Sequence, residues 1–252
     1  MFRFLALLAF LANSDEIFRD FAGWYKTYNG PIAPPVVTSA YEAQLKQTGI
    51  DAVEIARRID LLRKRMADMP PEFAALHFDR IYRMETPLFR KSASQFLARM
   101  VQGRKPGRAL DVAMGQGRNS LFLASAGWEV AGYDISEGGM AEAKQAATSA
   151  GLKIKTFRAN HDEFDYGVEQ WDLIVETFAF TNLSDAAYRK RVIDSLKPGG
   201  LLVIEGFGGG GAKNVMLEGF MGLRILSYED SEDIADWGMQ KARLLRLAAQ
   251  KD

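Results

Sequence analysis

Between Arg108 and Ser120 the chain reads Arg-Ala-Leu-Asp-Val-Ala-Met-Gly-Gln-Gly-Arg-Asn-Ser, and no other stretch constrains the fold as much. An apolar run around Leu110 and Val112 enters a turn with Gly115 and Gly117, and a helix continues through Leu121, Phe122, Leu123 and Ala124. A strand, turn and helix in that order leave backbone N–H groups and a helix N-terminus at the end of a sheet, where a nucleotide-like ligand can approach. Gly115 and Gly117 carry no side chains to block that approach. The dinucleotide fingerprint asks for a third glycine where this chain has Ser120, so that match is incomplete. Asp111, alone among apolar neighbours, is wrongly signed for a pyrophosphate and suits a ligand with positive charge.

A second strand, Gly127 to Asp134, ends in another carboxylate. Asp134 follows Asp111 by 23 residues, close to the spacing of roughly 20 at which nucleotide-binding α/β folds set an acid on a ribose diol. Such an acid accepts from both hydroxyls at once, and Ile135 stands beside it. Ser136 caps the next helix, which Gly151 stops. Ile154 to Ala159 reads as a third strand with Asn160 and His161 at its end, and Trp171 to Glu176 as a fourth. In open α/β sheets ligands bind beyond the carboxyl ends of the strands, which brings Glu176, Thr177 and Phe178 towards the reacting centre. Asp185 to Leu196 reads as an exposed helix. Lys197-Pro198-Gly199-Gly200 turns into a fifth strand, Leu201 to Phe207, followed by Gly208 to Gly211 as a mobile substrate-lid loop. Leu223–Glu229 and Ala242–Ala248 have no crossover helix between them and must pair antiparallel.

These features resemble motif I of the class I S-adenosylmethionine-dependent methyltransferases. Gly117-Arg118-Asn119-Ser120-Leu121-Phe122-Leu123-Ala124 is similar to the form seen in the small-molecule, tellurite-resistance-like branch. The Lys197-Pro198-Gly199-Gly200 turn is a second point of likeness. The resemblance implies a Rossmann-like, seven-stranded, doubly wound α/β sheet with a C-terminal antiparallel hairpin. It also implies S-adenosylmethionine as cofactor, with no metal, and methyl transfer by in-line displacement to a small-molecule acceptor. Asp111 then faces the methionine amino group, Gly115 and Gly117 pass beneath the methionine part, Asp134 holds the ribose, and Ile135, Asn160 and His161 border adenine. Arg118 could reach the methionine carboxylate. Ala113 stands where the family has its first glycine and is strained if that position needs a positive φ. Tyr82 and Phe89, just ahead of motif I, are candidates to cover the cofactor. If the acceptor is a hydroxyl, His161 or Glu176 is the first candidate for a general base; a thiol, amine or chalcogen oxyanion needs none. Two other readings stay open: a nicotinamide-dependent oxidoreductase, which lacks a terminal hairpin, and a non-catalytic S-adenosylmethionine-binding protein.

Composition narrows the choice. The 252 residues contain 32 Lys plus Arg against 32 Asp plus Glu, so no overall field draws the chain to nucleic acid, which is disfavoured as substrate. The absence of cysteine excludes disulfides, thiolate metal sites and methyl transfer through a cysteine adduct.

Ahead of the domain, residues 1–14 hold an apolar run, Phe4 to Ala12. It is too short to span a bilayer, which takes roughly 20 residues, but it fits a signal segment or a packed or interfacial helix with peripheral membrane contact. A cytoplasmic place, where the cofactor is made, competes with export or membrane association through this segment. Residues 15–77 read as a linker and helical extension, with Phe18 to Tyr41 irregular around Gly30-Pro31 and Pro34-Pro35. In that extension Ile55, Ile59, Leu62 and Met66 mark an amphipathic helix opened by Asp51, and its Arg57, Arg58, Arg63, Lys64 and Arg65 decorate a solvated face. The methyltransferase-like domain is expected over 78–252. The sequence leaves oligomeric state open.

Overall fold

The computed structural model describes residues 13–84, 88–208 and 214–252. The expected segment 1–14 lies almost wholly, and the glycine run beyond Gly208 wholly, outside them. The chain divides into two compact units, one up to Arg80 and one from Ile81 to Asp252.

The first unit contains α1 (Ser14–Tyr25), α2 (Pro34–Lys46), α3 (Ala52–Met66) and most of α4 (Pro71–Tyr82). The stretch read as irregular from Phe18 to Tyr41 is therefore mostly helical. Asn13 and Glu16 form a reciprocal capping box at the start of α1. Pro34 and Pro35 fall in the first turn of α2, where a missing N–H costs nothing. Ile17, Phe18, Phe21 and Tyr25 recur at helical spacing and bury one face. Phe21 stacks on Tyr25 at 5.4 Å and meets Tyr41 edge-on at 5.3 Å, while Ile55, Ile59 and Leu62 of α3 complete the core. Asp51 caps α3 as its sequence indicates. Of the basic residues of α3, Arg57 and Arg58 pair with Glu54, Lys64 with Asp60, and Arg65 with Asp15 and Glu72.

The second unit contains α5 (Gln95–Val101), β1 (Arg108–Val112), α6 (Arg118–Ser125), β2 (Glu129–Asp134), α7 (Glu137–Ser149), β3 (Ile154–Arg158), β4 (Trp171–Thr177), α8 (Ala186–Ser195), β5 (Leu196–Phe207), α9 (Val215–Gly219), β6 (Arg224–Ile234) and β7 (Lys241–Gln250). The seven strands form one sheet in the order β3-β2-β1-β4-β5-β7-β6. The first five run parallel, and β7 inserts antiparallel between β5 and β6. The strands with fully covered faces are nearly continuous apolar runs: Leu173, Ile174 and Val175 in β4 and Leu201, Leu202 and Val203 in β5 have no exposed surface. α8 is not the exposed helix its composition suggests. Tyr188, Val192 and Ser195 make an inward stripe, and Tyr188 and Val192 join the core under β4 and β5.

Strand order reverses at β1, with β2 on one side and β4 on the other. At such a switch point adjacent helices leave on opposite faces and the strand ends open into a crevice.

Candidate functional site

The turn after β1 is held by the end of β2. Asp134 is 4% exposed, and its two oxygens accept the backbone N–H of Gly115 at 2.8 Å and of Ser136 at 2.7 Å. The Met114 N–H donates to the Tyr133 carbonyl at 2.9 Å. Within this turn Ala113, Gly115 and Gly117 take φ of +52°, +51° and +78°. Ala113 thus sits in the left-handed region that costs an L-residue roughly 1–2 kcal/mol.

The glycines serve the chain's own packing as well as any ligand. A Cβ at Gly115 would fall 2.4 Å from Tyr82 Oη, one at Gly139 would fall 2.8 Å from the Tyr82 ring, and one at Gly117 2.7 Å from Ala143 Cβ. Tyr82 therefore lies directly over the turn, and Phe89 packs beside it at 5.6 Å. Both residues expected as cover are beside the motif.

Asp111 is 2% exposed and accepts from Ser120 Oγ at 2.7 Å. Burial pushes its carboxyl up to about 6, against the Ser120 bond and the Arg118 charge, which pull it down. Ser120 thus has a specific duty: it bonds the acid from the first turn of α6. Arg118 donates to Asp236 Oδ2 at 2.6 Å and to the Ser92 carbonyl at 3.1 Å, so its charge is committed to the β6–β7 turn.

Asn160 Oδ1 accepts from the N–H groups of Asp162 and Glu163 at 2.8 and 3.0 Å. That oxygen closes a local turn, and the NH₂ is the part of the side chain suited to recognition. His161 Nε2 donates to the Ala179 carbonyl at 3.0 Å, which assigns Nδ1 as acceptor of the Tyr133 hydroxyl at 2.8 Å. Burial holds its pKa below the usual histidine value, outweighing the Ala179 bond. Glu176 is 1% exposed and accepts from Tyr188 Oη at 2.6 Å and Thr181 Oγ1 at 3.0 Å. Burial raises its carboxyl to about 7 despite both bonds. The two candidate bases are therefore members of one buried network with Tyr133, Tyr166 and Tyr188, which braces the chain leaving β4.

Sequence reasoning missed a second network. Glu205 pairs with Arg246 at 2.7 Å from the adjacent position of β7 and accepts from Ser94 Oγ at 2.6 Å. The Ser94 N–H donates to Asn119 Oδ1 at 3.0 Å, and Asn119 Nδ2 to Thr177 Oγ1 at 2.7 Å. An acid within the apolar run Leu201 to Phe207 is the same kind of signal that singled out Asp111. Also missed was the clasp between residues 88–92 and the β6–β7 turn. Gly238 donates to the Leu88 carbonyl at 2.7 Å, Arg90 to the Asp236 carbonyl at 2.8 Å, and Phe89 bridges Trp237.

The donor set fits a cationic sulfur nucleoside. Two buried carboxylates flank a bare main-chain turn, an arrangement that repels a diphosphate and accepts an ammonium and a ribose diol. The β6–β7 hairpin also departs from the nicotinamide alternative.

Comparison with known proteins agrees. Residues 109–200 match the family described as a methyltransferase domain. A ubiquinone biosynthesis O-methyltransferase from Ruegeria pomeroyi is 32% identical over 97 residues, covering 38% of this chain and 39% of the relative. A probable S-adenosyl-L-methionine-dependent methyltransferase TehB from Haemophilus influenzae is 34% identical over 93 residues, covering 36% of this chain and 30% of that protein. The matched stretch thus spans well under half of either relative. Among solved structures, TehB from Haemophilus influenzae superposes with a TM-score of 0.56 at 20% identity, over 71% of this chain and 67% of that one. A structure from work on conversion of a disulfide bond into a thioacetal group during echinomycin biosynthesis gives 0.58 at 18% identity, over 73% of this chain and 93% of that one. Residues 109–200 thus carry a methyltransferase domain, and the turn, the paired strand-end acids and the strand order make the chain similar to the class I S-adenosylmethionine-dependent methyltransferases and to their tellurite-resistance-like branch.

Proposed function

We propose that this protein moves a methyl group from S-adenosylmethionine to a small-molecule acceptor. The reading is carried by the join between Gly115 and Asp134, which fixes the main-chain turn against an acid suited to a ribose diol. Asp111 faces the amino group of the methionine part; Ala113, Gly115 and Gly117 underlie it; Ile135, Asn160 and His161 border adenine. When bound, S-adenosylmethionine supplies a methyl group made electrophilic by its positively charged sulfur. The protein's part is then to orient the acceptor and exclude water, and orientation alone can supply roughly 7–11 kcal/mol of a barrier. In this reading His161 and Glu176 act as bracing groups, since both ring nitrogens of one and both oxygens of the other hold hydrogen bonds within the chain.

A small acceptor accords with the balanced charge of the chain. A cytoplasmic place accords with the source of the cofactor. Among the described residues no helix is long and apolar enough to cross a membrane.

Calorimetric titration with S-adenosylhomocysteine and with NADH tests the cofactor, and methyl release to a panel of small acceptors tests the activity. Binding of the homocysteine product without NADH binding is expected. Saturating NADH binding overturns the reading, and product binding without transfer to any acceptor reduces it to a binding protein.

A further inference from the structure

Aromatic rings converge beyond β4 and β5, and all but Phe89 stand outside the cofactor reading. Phe180 meets Trp237 edge to face at 4.9 Å, Phe89 lies 5.0 Å from Trp237, and Phe207 6.0 Å from it. Phe180 and Phe207 nonetheless keep 60% and 42% of their surface exposed. Tyr82, over Gly115, touches this group through Phe89, so the rings are continuous with the motif turn.

The backbone here is strained. Phe178 and Phe180 adopt φ of +54° and +53°, a region that bulky residues avoid at a cost of order 1–3 kcal/mol each. Strain of this kind persists where surrounding structure enforces it, and it gathers at binding sites. Here the Phe178 N–H is anchored on the Glu205 carbonyl at 2.7 Å, and the two turns aim Phe178 at Phe207 and Phe180 at Trp237.

Charged groups adjoin the rings. Asp236, next to Trp237, faces Arg118 at 2.6 Å and Arg90 at 3.1 Å. Asp233 also acts on Arg90, whose side chain is 36% exposed at the edge of this cluster. The two acid–base candidates are meanwhile locked into the buried network.

We infer that the acceptor is a flat aromatic anion, an aryl oxide or aryl thiolate, whose ring lies against Trp237 and Phe180 while its charge is drawn by Arg90. The inference rests on the methyl-transfer reading of the same site. An acceptor that arrives ionised brings its own lone pair for the new bond to carbon. The bond that breaks leaves its pair on the departing sulfur, positive and negative charges cancel, and no proton has to be removed. That chemistry suits a site whose two acid–base candidates among the described residues, His161 and Glu176, are engaged by neighbours.

The test is calorimetry on the full chain saturated with S-adenosylhomocysteine. The probes are 4-nitrophenolate and 4-nitrothiophenolate, with 4-nitroanisole as neutral aryl and hexanoate as aliphatic anion. At least one aryl anion should bind about tenfold more tightly than either control, the order of gain that one aromatic contact supplies. Trp237→Leu should lose that gain, and Arg90→Gln should erase the preference for the anion over 4-nitroanisole. Unchanged S-adenosylhomocysteine affinity certifies each variant's fold, and Phe180→Ala, at an exposed position, provides a second probe of the ring contact. Hexanoate or 4-nitroanisole binding as tightly as both aryl anions overturns the inference, as does full aryl affinity in both Trp237→Leu and Phe180→Ala. Failure of S-adenosylhomocysteine to bind overturns the parent reading instead, and the two failures are separable within one experiment.

Discussion

The backbone amide of Gly115 donates to the Asp134 carboxylate across 2.8 Å, so the turn after the first strand and the acid ending the second are one mechanical unit. Neither can be altered without moving the other.

Asp134→Ala is expected to lower stability by about 1–3 kcal/mol, since two buried N–H groups lose a charged acceptor. Affinity for S-adenosylhomocysteine should fall with it. Urea denaturation and calorimetry read the two effects, and a variant that keeps both would refute the coupling.

At position 113 the strain is measurable. Ala113→Gly relieves a φ of +52° but enlarges the unfolded ensemble, so the net change should be a stabilisation of up to about 1 kcal/mol. A loss of comparable size would mean that the alanine methyl group packs well enough to offset its conformation.

Stability should depend on pH through two buried acids. Burial raises Glu176 to about 7 from an ordinary 4.5 and Asp111 to about 6 from 3.8. Each therefore holds its proton more tightly folded than unfolded. The stabilisation is fully present below the unfolded values and is lost as pH rises through the folded ones. Wild-type stability should fall between about pH 4 and 7, and Glu176→Gln should gain on it across that window, by about 3 kcal/mol at the upper end. Denaturation midpoints taken at intervals of pH decide it; a constant difference between the two proteins would contradict the assignment.

The clasp at Asp236 should carry more energy than a surface ion pair. Arg118 and Asp236 side chains are only 13% and 12% exposed. A double-mutant cycle with Arg118→Met and Asp236→Ala should return a coupling of about 1–3 kcal/mol, against the 0–1 typical of exposed pairs. Limited proteolysis should also cut sooner near Ser92 in either variant. A coupling near zero would show that the backbone bonds at Leu88 and Arg90 hold the strap unaided.

Local pattern made the sheet legible. β1, β2, β4 and β5 are largely apolar runs bounded by turns, and their burial on both faces follows from covering helices, whereas β3 at the edge is mostly exposed. The hairpin followed from the lack of any crossover between β6 and β7. Local pattern also misled in two places. Around Gly30-Pro31 and Pro34-Pro35 the prolines suggested irregular chain, yet they mark the gap and the first turn between two helices whose aromatic spacing was already helical. In α8 the polar composition hid a stripe at Tyr188 and Val192 that only the sheet beneath it reveals.

The site divided in the same way. That Asp111, Gly115, Gly117 and Asp134 come together was legible in the sequence because a strand, a turn and a strand-end acid lie within a short stretch whose geometry is fixed by backbone sterics. What His161, Glu176 and Arg118 do could not be chosen, since their partners Tyr133, Tyr188 and Asp236 lie 28, 12 and 118 residues away. Hydrogen-bond capacity is a property of the residue, but its commitment depends on which segments the fold brings within 3 Å. The sequence alone thus determined the sheet, its motif turn and the class of ligand the turn accepts. Tertiary structure alone decided which titratable groups were consumed by one another, and which rings, Phe89, Phe180 and Phe207, gathered around Trp237.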